Sequence, residues 1–245
     1  MTDRWVQDHQ RDAWRRQAKA AGYRARSAYK LKQIQKRFTL MSPGDVVLDV
    51  GCHPGGWAQV AVEETGEGGV VLGVDLDPCK PVEGARLLVG DITDPACQER
   101  LVEALEGRNL NVIISDISPD ITGRWQTDQA IAMDLVAKVV DFSLPLLCAG
   151  GRFVTKVFQG HGIEELVKAM KPHFSLVKRF SPDASRNSSS EVYLVCINHK
   201  PWVAGESGPE VVAAIEKAFD DSEEETEEKT IGTRFRVIRR SKEEE

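Results

Sequence analysis

The sequence predicts an α/β fold: a mostly parallel seven-stranded sheet with helices on both faces. Three observations carry this. Short apolar runs alternate with longer helical patterns from about residue 46 to residue 200, as expected for a parallel sheet assembled from β–α–β units. A glycine-rich turn, Gly51-Cys52-His53-Pro54-Gly55-Gly56, follows the first apolar run. Asp75, Asp91 and Asp116 close three successive strand patterns, and open α/β sheets bind ligands along the edge where such strand ends gather.

Taken in order, residues 4–20 are polar and helix-compatible, with Trp5 and Trp14 among Arg and Lys. Gly22 breaks that helix, and residues 26–37 resume helical spacing with Ala28, Leu31 and Ile34 on one face. Pro43-Gly44-Asp45 is a turn. Strands are predicted at 46–50, 70–74, 86–89, 112–114, 152–157, 175–180 and 191–197. Helices are predicted after the glycine turn, after Pro95, over about 127–147 and over 163–171, stopping at Pro172. Residues 204–230 are acidic and read as mostly solvated, with a short amphipathic helix possible at Pro209–Asp220.

Composition bounds the rest. A hydrophobic content of 41% in 245 residues supports one cored domain plus extensions. The chain has no apolar run of membrane-spanning length and no signal-peptide pattern, so no membrane association is expected. The five cysteines are scattered, with no Cys-x-x-Cys. That argues for a reducing, cytoplasmic compartment, without a disulfide framework or a metal site. The net charge of −6 hides an asymmetry: residues 1–37 carry eleven Lys/Arg against three Asp/Glu, and residues 203–245 carry seven against thirteen. Three regions follow: a basic helical arm (1–37), an α/β domain (38–202) and an acidic, partly disordered extension (203–245). A basic arm on an acidic body suits a polyanionic partner, although it would also serve as a solvated helix face.

The turn at 51–56 lacks both the G-x-G-x-x-G spacing of dinucleotide folds and the Gly-Lys-Ser/Thr of a P-loop. A strand ending Asp49-Val50-Gly51, followed by a glycine-rich turn and a helix, fits S-adenosylmethionine (SAM) better. Asp75 stands where a carboxylate accepts from both ribose hydroxyls of a nucleoside, and Asp91 where one accepts from an adenine amino group. Lys156 is the anomaly, a lysine inside an apolar strand. It must reach solvent, pair, or do chemistry. Asp116 on the neighbouring strand and Glu191 at the start of the last strand are candidate partners.

Five motifs then occur in order: Arg26-Ser27-Ala28-Tyr29-Lys30-Leu31, Asp49-x-Gly-x-x-Pro-Gly-Gly-Trp57, Ser115-Asp116-x-x-Pro119-x-x-x-Gly123, Lys156-Val157-Phe158-Gln159-Gly160 and Ser185-Arg186-x-x-Ser189-x-Glu191-Val192-Tyr193. The set resembles the FtsJ/RrmJ (RlmE) ribosomal RNA ribose 2′-O-methyltransferases over about residues 22–200. The resemblance implies a Rossmann-like, SAM-dependent methyltransferase fold that needs no metal. It implies a catalytic tetrad at Lys30, Asp116, Lys156 and Glu191, and SAM contacts at Gly55, Trp57, Asp75, Asp91 and Asp116. It also implies a large-subunit (23S-type) rRNA ribose, of a uridine, as the methyl acceptor, and a protein acting as a monomer. Asp120 follows Pro119 where the rRNA members usually carry Asn and tRNA relatives often carry Asp, so a tRNA anticodon-loop ribose is the alternative substrate. In this reading Lys156 either takes the proton from the hydroxyl, in its neutral form, or stays charged and orients the oxygen. Arm cations would grip phosphates, and Trp5, Trp14 and Tyr23 are available to stack on unpaired bases, the two tryptophans alternatively packing the arm onto the domain.

Overall fold

The computed structural model describes residues 13–119, 122–160, 162–185, 190–201 and the single position 213. Residues 13–20 are helical (α1) and lead through Gly22 into α2 (Ala28–Phe38). Five strands then alternate with helices: β1 (Val46–Val50), α3 (Gly56–Thr65), β2 (Val70–Asp75), β3 (Ala85–Val89), α4 (Pro95–Leu105), β4 (Leu110–Ser115), α5 (Trp125–Ser143) and β5 (Leu147–Phe158). The chain ends its described core with α6 (Ile163–Met170), β6 (Phe174–Phe180) and β7 (Glu191–His199).

The seven strands form one sheet in the order β3-β2-β1-β4-β5-β7-β6. β1 to β5 pair in parallel, while β7 is antiparallel to both β5 and β6. The mostly parallel seven-stranded sheet read from the sequence is therefore the one observed. The strand order reverses between β1 and β4, so the C-terminal ends of β1, β2 and β4 open onto the crevice that such reversals create.

Period-two alternation sends successive strand residues to opposite faces, and each face is covered. Val46, Leu48 and Val50 of β1 pack with Leu101 of α4, Val136 and Val140 of α5 and Leu166 of α6. Val47, with Val112 and Ile114 of β4, packs instead against Leu31 and Ile34 of α2 and Ala58 and Ala61 of α3. The basic arm shares this second layer through Ala18, Tyr23 and Ala28. Full burial of such aliphatic side chains stabilises by roughly 1.5–3 kcal/mol each, which anchors the segment that carries Lys30.

Boundaries differ from the sequence expectation at one place of consequence. The helix expected to reach 147 ends at Ser143 and tightens into a 3-10 turn over Leu144–Leu146, because Pro145 has no N–H to continue the ladder. β5 then begins at Leu147 rather than 152, passing a register irregularity opposite Leu110–Val112. The part of the expected helix over 4–20 that holds Trp5, the residue Asp120, and all of Pro209–Asp220 except position 213 lie outside the described residues. Among the described residues no helix is long and apolar enough to cross a membrane.

Candidate active site

The glycine turn joins β1 to α3 as expected. Gly51 has φ 78° and Gly55, the N-cap of α3, has φ 104°, values that L side chains rarely adopt. At Gly51 the neighbouring backbone forbids a side chain as well, and at Gly55 one would displace the Arg24 guanidinium. A Cβ at Gly51 would lie 2.8 Å from Ile117 Cα, and one at Gly55 would lie 2.7 Å from a guanidinium nitrogen of Arg24. The first N–H groups of α3 have no helical partner and face the end of the turn, where polar or anionic ligand groups are favoured.

Asp75 ends β2 and braces this turn. Its carboxylate accepts from the His53 N–H at 2.8 Å and from the Asp77 N–H at 2.9 Å. Asp91 follows β3, is exposed, and accepts from the N–H and hydroxyl of Thr93, both at 2.8 Å. Each carboxylate has lone pairs beyond those contacts. Trp57, expected as a cofactor contact, stands at the start of α3 and has a packing role through its side chain. Its indole is buried, donates to Ser27 O at 2.8 Å, and lies 5.6 Å from the Tyr193 ring. Its backbone N–H lies in the first turn of α3. Tyr23 also departs from the stacking role considered above. It is buried, and its hydroxyl donates to Glu63 at 2.5 Å. Trp14 is half-buried with its ring 5.2 Å from Tyr29, which is the packing role.

The four polar residues predicted to act together arrive from four elements. Lys30 comes from α2, Asp116 from the end of β4, Lys156 from β5 and Glu191 from the start of β7. They form two ion pairs. Lys30 Nζ stands 3.0 Å from Glu191 Oε2. Lys156 Nζ stands 3.5 Å from Asp116 Oδ1 and donates to the Asp116 backbone carbonyl at 2.8 Å. Both lysines are buried, at 6% and 7% exposure, so neither reaches solvent; each is paired instead.

Tyr193, to which sequence reasoning gave no role, links the pairs. It lies opposite Lys156 in the β5–β7 register. Its hydroxyl donates to Asp116 Oδ1 at 2.7 Å, and Lys30 Nζ sits 5.6 Å from its ring centroid. Burial, then the Asp116 charge, hold the phenol well above its usual range, so it stays a donor. The available signal was period-two spacing from Glu191, which puts residue 193 on the same face of β7.

Asp49 was the second omission. It is fully buried in the middle of an apolar strand, and neither oxygen has a hydrogen-bond partner. Burial raises its carboxyl well above the usual range, and the charges of Asp116 and Asp75 add to this. The principle applied to Lys156, that a charge in an apolar strand demands a reason, applies equally here.

The crevice thus has a glycine cradle, a helix N-terminus and a cluster of acids at Asp49, Asp75, Asp91 and Asp116. This donor set fits a cationic nucleoside such as SAM: acceptors for ribose and adenine groups, amides for a carboxylate, and a net negative surround for a sulfonium. Beside it stands a buried lysine on a carboxylate, the arrangement needed to engage a hydroxyl.

Comparison with known proteins agrees with this geometry. The model of the FtsJ-like methyltransferase family matches residues 23–199. The chain is 41% identical over 192 residues to the ribosomal RNA large subunit methyltransferase E of Alkalilimnicola ehrlichii, covering 78% of this chain and 92% of that one. It is 40% identical over 217 residues to the protein of the same name from Halorubrum lacusprofundi, covering 87% and 80%. Among solved structures, a protein described as a ribosomal RNA methyltransferase from Plasmodium falciparum superposes with a TM-score of 0.66 at 27% identity, covering 72% of this chain and 98% of that one.

Proposed function

This chain belongs to the FtsJ-like methyltransferase family, and from that premise we propose that it methylates the 2′-hydroxyl of a ribose in large-subunit ribosomal RNA, using SAM. The observation that carries the reading is the convergence of the Lys156–Asp116 and Lys30–Glu191 pairs at the sheet edge where the glycine cradle opens. The names of the relatives above support large-subunit rRNA as the substrate, and the motif resemblance supports a uridine ribose. We place the activity in the cytoplasm and divide the chain into the basic arm (1–37), the methyltransferase domain (38–202) and the acidic extension (203–245).

SAM would supply an electrophilic methyl group on a sulfonium. Gly55, the Trp57 backbone N–H, Asp75, Asp91 and Asp116 would hold it. The residues of the chain then have separable tasks. Asp116 is fixed by Tyr193 and Lys156 and contributes negative charge beside the crevice. Lys156, held by both the carbonyl and the carboxylate of Asp116, receives the ribose hydroxyl. As a neutral amine it takes the proton; as an ammonium it fixes the oxygen on line for displacement. Lys30 and Glu191 neutralise one another at the mouth of the site and can hydrogen-bond the neighbouring ribose or phosphate. The exposed cations of α1, Arg15, Arg16 and Lys19, lie on the segment leading to Lys30 and are suited to backbone phosphates.

The test maps 2′-O-methyl sites in total RNA from cells with and without the protein, alongside transfer from labelled SAM to purified large subunits and to tRNA. Loss of one methylated ribose from large-subunit rRNA, with label entering subunits, is expected. Label entering tRNA alone would move the substrate to the anticodon loop.

A further inference from the structure

The guanidinium of Arg24 ties together, from the arm side, the two loops bounding the proposed cofactor crevice. Nη1 donates to the Pro54 carbonyl at 3.2 Å, in the turn after β1, and to the Lys80 carbonyl at 2.5 Å, in the loop after β2. Nη2 donates to the Pro81 carbonyl in that same second loop. The guanidinium lies against the face of Gly55 where a Cβ would stand, and a Val82 methyl borders the same position. The backbone on either side of Arg24 is secured to α3. The Arg24 N–H donates to Gln59 Oε1 at 3.0 Å, Gln59 Nε2 donates to Gly22 O at 3.1 Å, and the Trp57 indole donates to Ser27 O at 2.8 Å.

We propose that Arg24 is a positioning residue for the cofactor: its planar fork sets the distance between the turn at 51–55 and the loop at 76–84, and so the width of the crevice between them. The inference rests on the cofactor reading above and adds a residue that touches neither the cofactor nor the reacting atoms. Three carbonyls from two loops on one fork is a job for arginine, whose five N–H donors are rigidly arrayed. Asp75 braces the same two loops through the His53 and Asp77 N–H groups, so the crevice is pinned by an acceptor on one side and a donor on the other. Arg24 lies between the exposed cations of α1 and Lys30 of α2, so the segment that is suited to RNA phosphates also carries the brace of the cofactor crevice.

The experiment measures SAM affinity by calorimetry on the full chain without RNA, then steady-state kinetics with large subunits, for the parent, Arg24→Ala and Arg24→Lys. Thermal unfolding is recorded for each. For Arg24→Ala, SAM affinity should fall about tenfold or more through loss of charge-assisted bonds at the loops. KM for SAM should rise by a similar factor, well beyond any fall in kcat at saturating SAM. A residue that only stabilised the fold would instead lower the melting temperature and the active fraction, leaving the affinity of the folded fraction unchanged. Arg24→Lys keeps the charge but cannot span both loops, so its SAM affinity should be weakened several-fold. Parent-like SAM affinity in either folded variant would overturn the inference while leaving the function intact. A parent chain that binds no SAM would overturn the function reading itself.

Discussion

The hydroxyl of Tyr193 donates to Asp116 Oδ1 at 2.7 Å, across two strands of the sheet that are not neighbours. β4 and β7 are separated by β5, and it is β5 that carries Lys156. One half-buried carboxylate side chain is therefore gripped from two directions, by a phenol from β7 and by the amine of the intervening strand. One carboxylate oxygen and the backbone carbonyl of the same residue hold Lys156 Nζ in place. A base or an orienting group must be held to within a fraction of an ångström of its working place, and this network does so from elements that the core already makes rigid.

Tyr193→Phe tests the network directly. The ring stack on Trp57 survives, and only the hydroxyl is lost. A hydrogen bond to a charged acceptor contributes about 1.5–3 kcal/mol, so methyl transfer should slow by up to roughly 10- to 150-fold in the folded variant. Rates with labelled SAM at saturating RNA decide it. A rate equal to the parent's would mean that Lys156 alone positions Asp116.

Asp49 gives a prediction in pH. The unfolded chain ionises this carboxyl near about pH 3.9, whereas burial holds the proton on in the native state. Between those two values the native state binds more protons than the unfolded state, so stability contributed here falls as pH rises. The slope is at most about 1.4 kcal/mol per pH unit for one proton. Asp49→Asn removes the titration but keeps the shape. Relative to the parent it should gain stability from acidic to neutral pH, read by urea denaturation at both. An equal stability difference at the two conditions would show that Asp49 is ionised in the folded protein.

Much of this site was legible in the sequence because its signals are local. An acid at the end of an apolar run and a glycine turn before a helix need only a few residues of context, and Asp75, Asp91, Asp116 and the turn at 51–56 emerged that way. Lys156 was visible because its strand is otherwise apolar. The packing of the Trp57 indole, and the roles of Tyr23, Arg24 and Tyr193, were missed for the opposite reason. Their partners are 30 or more positions away, at Ser27, Glu63, Pro54 with Lys80, and Asp116, and local pattern cannot say whether an aromatic ring faces a base or a neighbouring strand. The end of α5 was misplaced because an apolar run spans both the helix and β5, so Pro145 was the only mark between them.

The arm is tested by charge. Arg15, Arg16 and Lys19 are exposed on α1, and reversing all three to Glu should weaken RNA binding while leaving SAM affinity unchanged. Each lost phosphate contact flattens the salt dependence, by about 0.7–0.9 in the slope of log K against log salt. Binding titrations across a salt series provide the slope. A parent-like slope would make this surface a solvated helix face.

Lys156 carries the last prediction. Removing it as Lys156→Ala should cost at least the 10²–10⁴ in rate typical of a general base, with SAM binding intact, because the contacts proposed for the cofactor come from the turn and from Asp75, Asp91 and Asp116. The loss would also leave the Asp116 carbonyl without its donor at 2.8 Å, so the fold must be checked by thermal unfolding alongside. Lys156→Arg separates the two ways in which the residue can act. Arginine keeps a positive charge and can still reach Asp116, but it does not give up its proton at any usable pH. If Lys156 removes the proton from the ribose hydroxyl, the arginine variant should be nearly as slow as the alanine variant at every pH. If Lys156 holds the oxygen by its charge, the arginine variant should retain a substantial fraction of the parent rate. The strand geometry bears on this choice. Nζ is already committed to the Asp116 carbonyl as a donor, and a neutral amine keeps two N–H donors and one lone pair. It can therefore hold Asp116 and accept a proton from the hydroxyl at once. Single-turnover rates of the two variants and the parent across a pH series supply the decision, and an arginine variant as fast as the parent would rule out proton removal by Lys156.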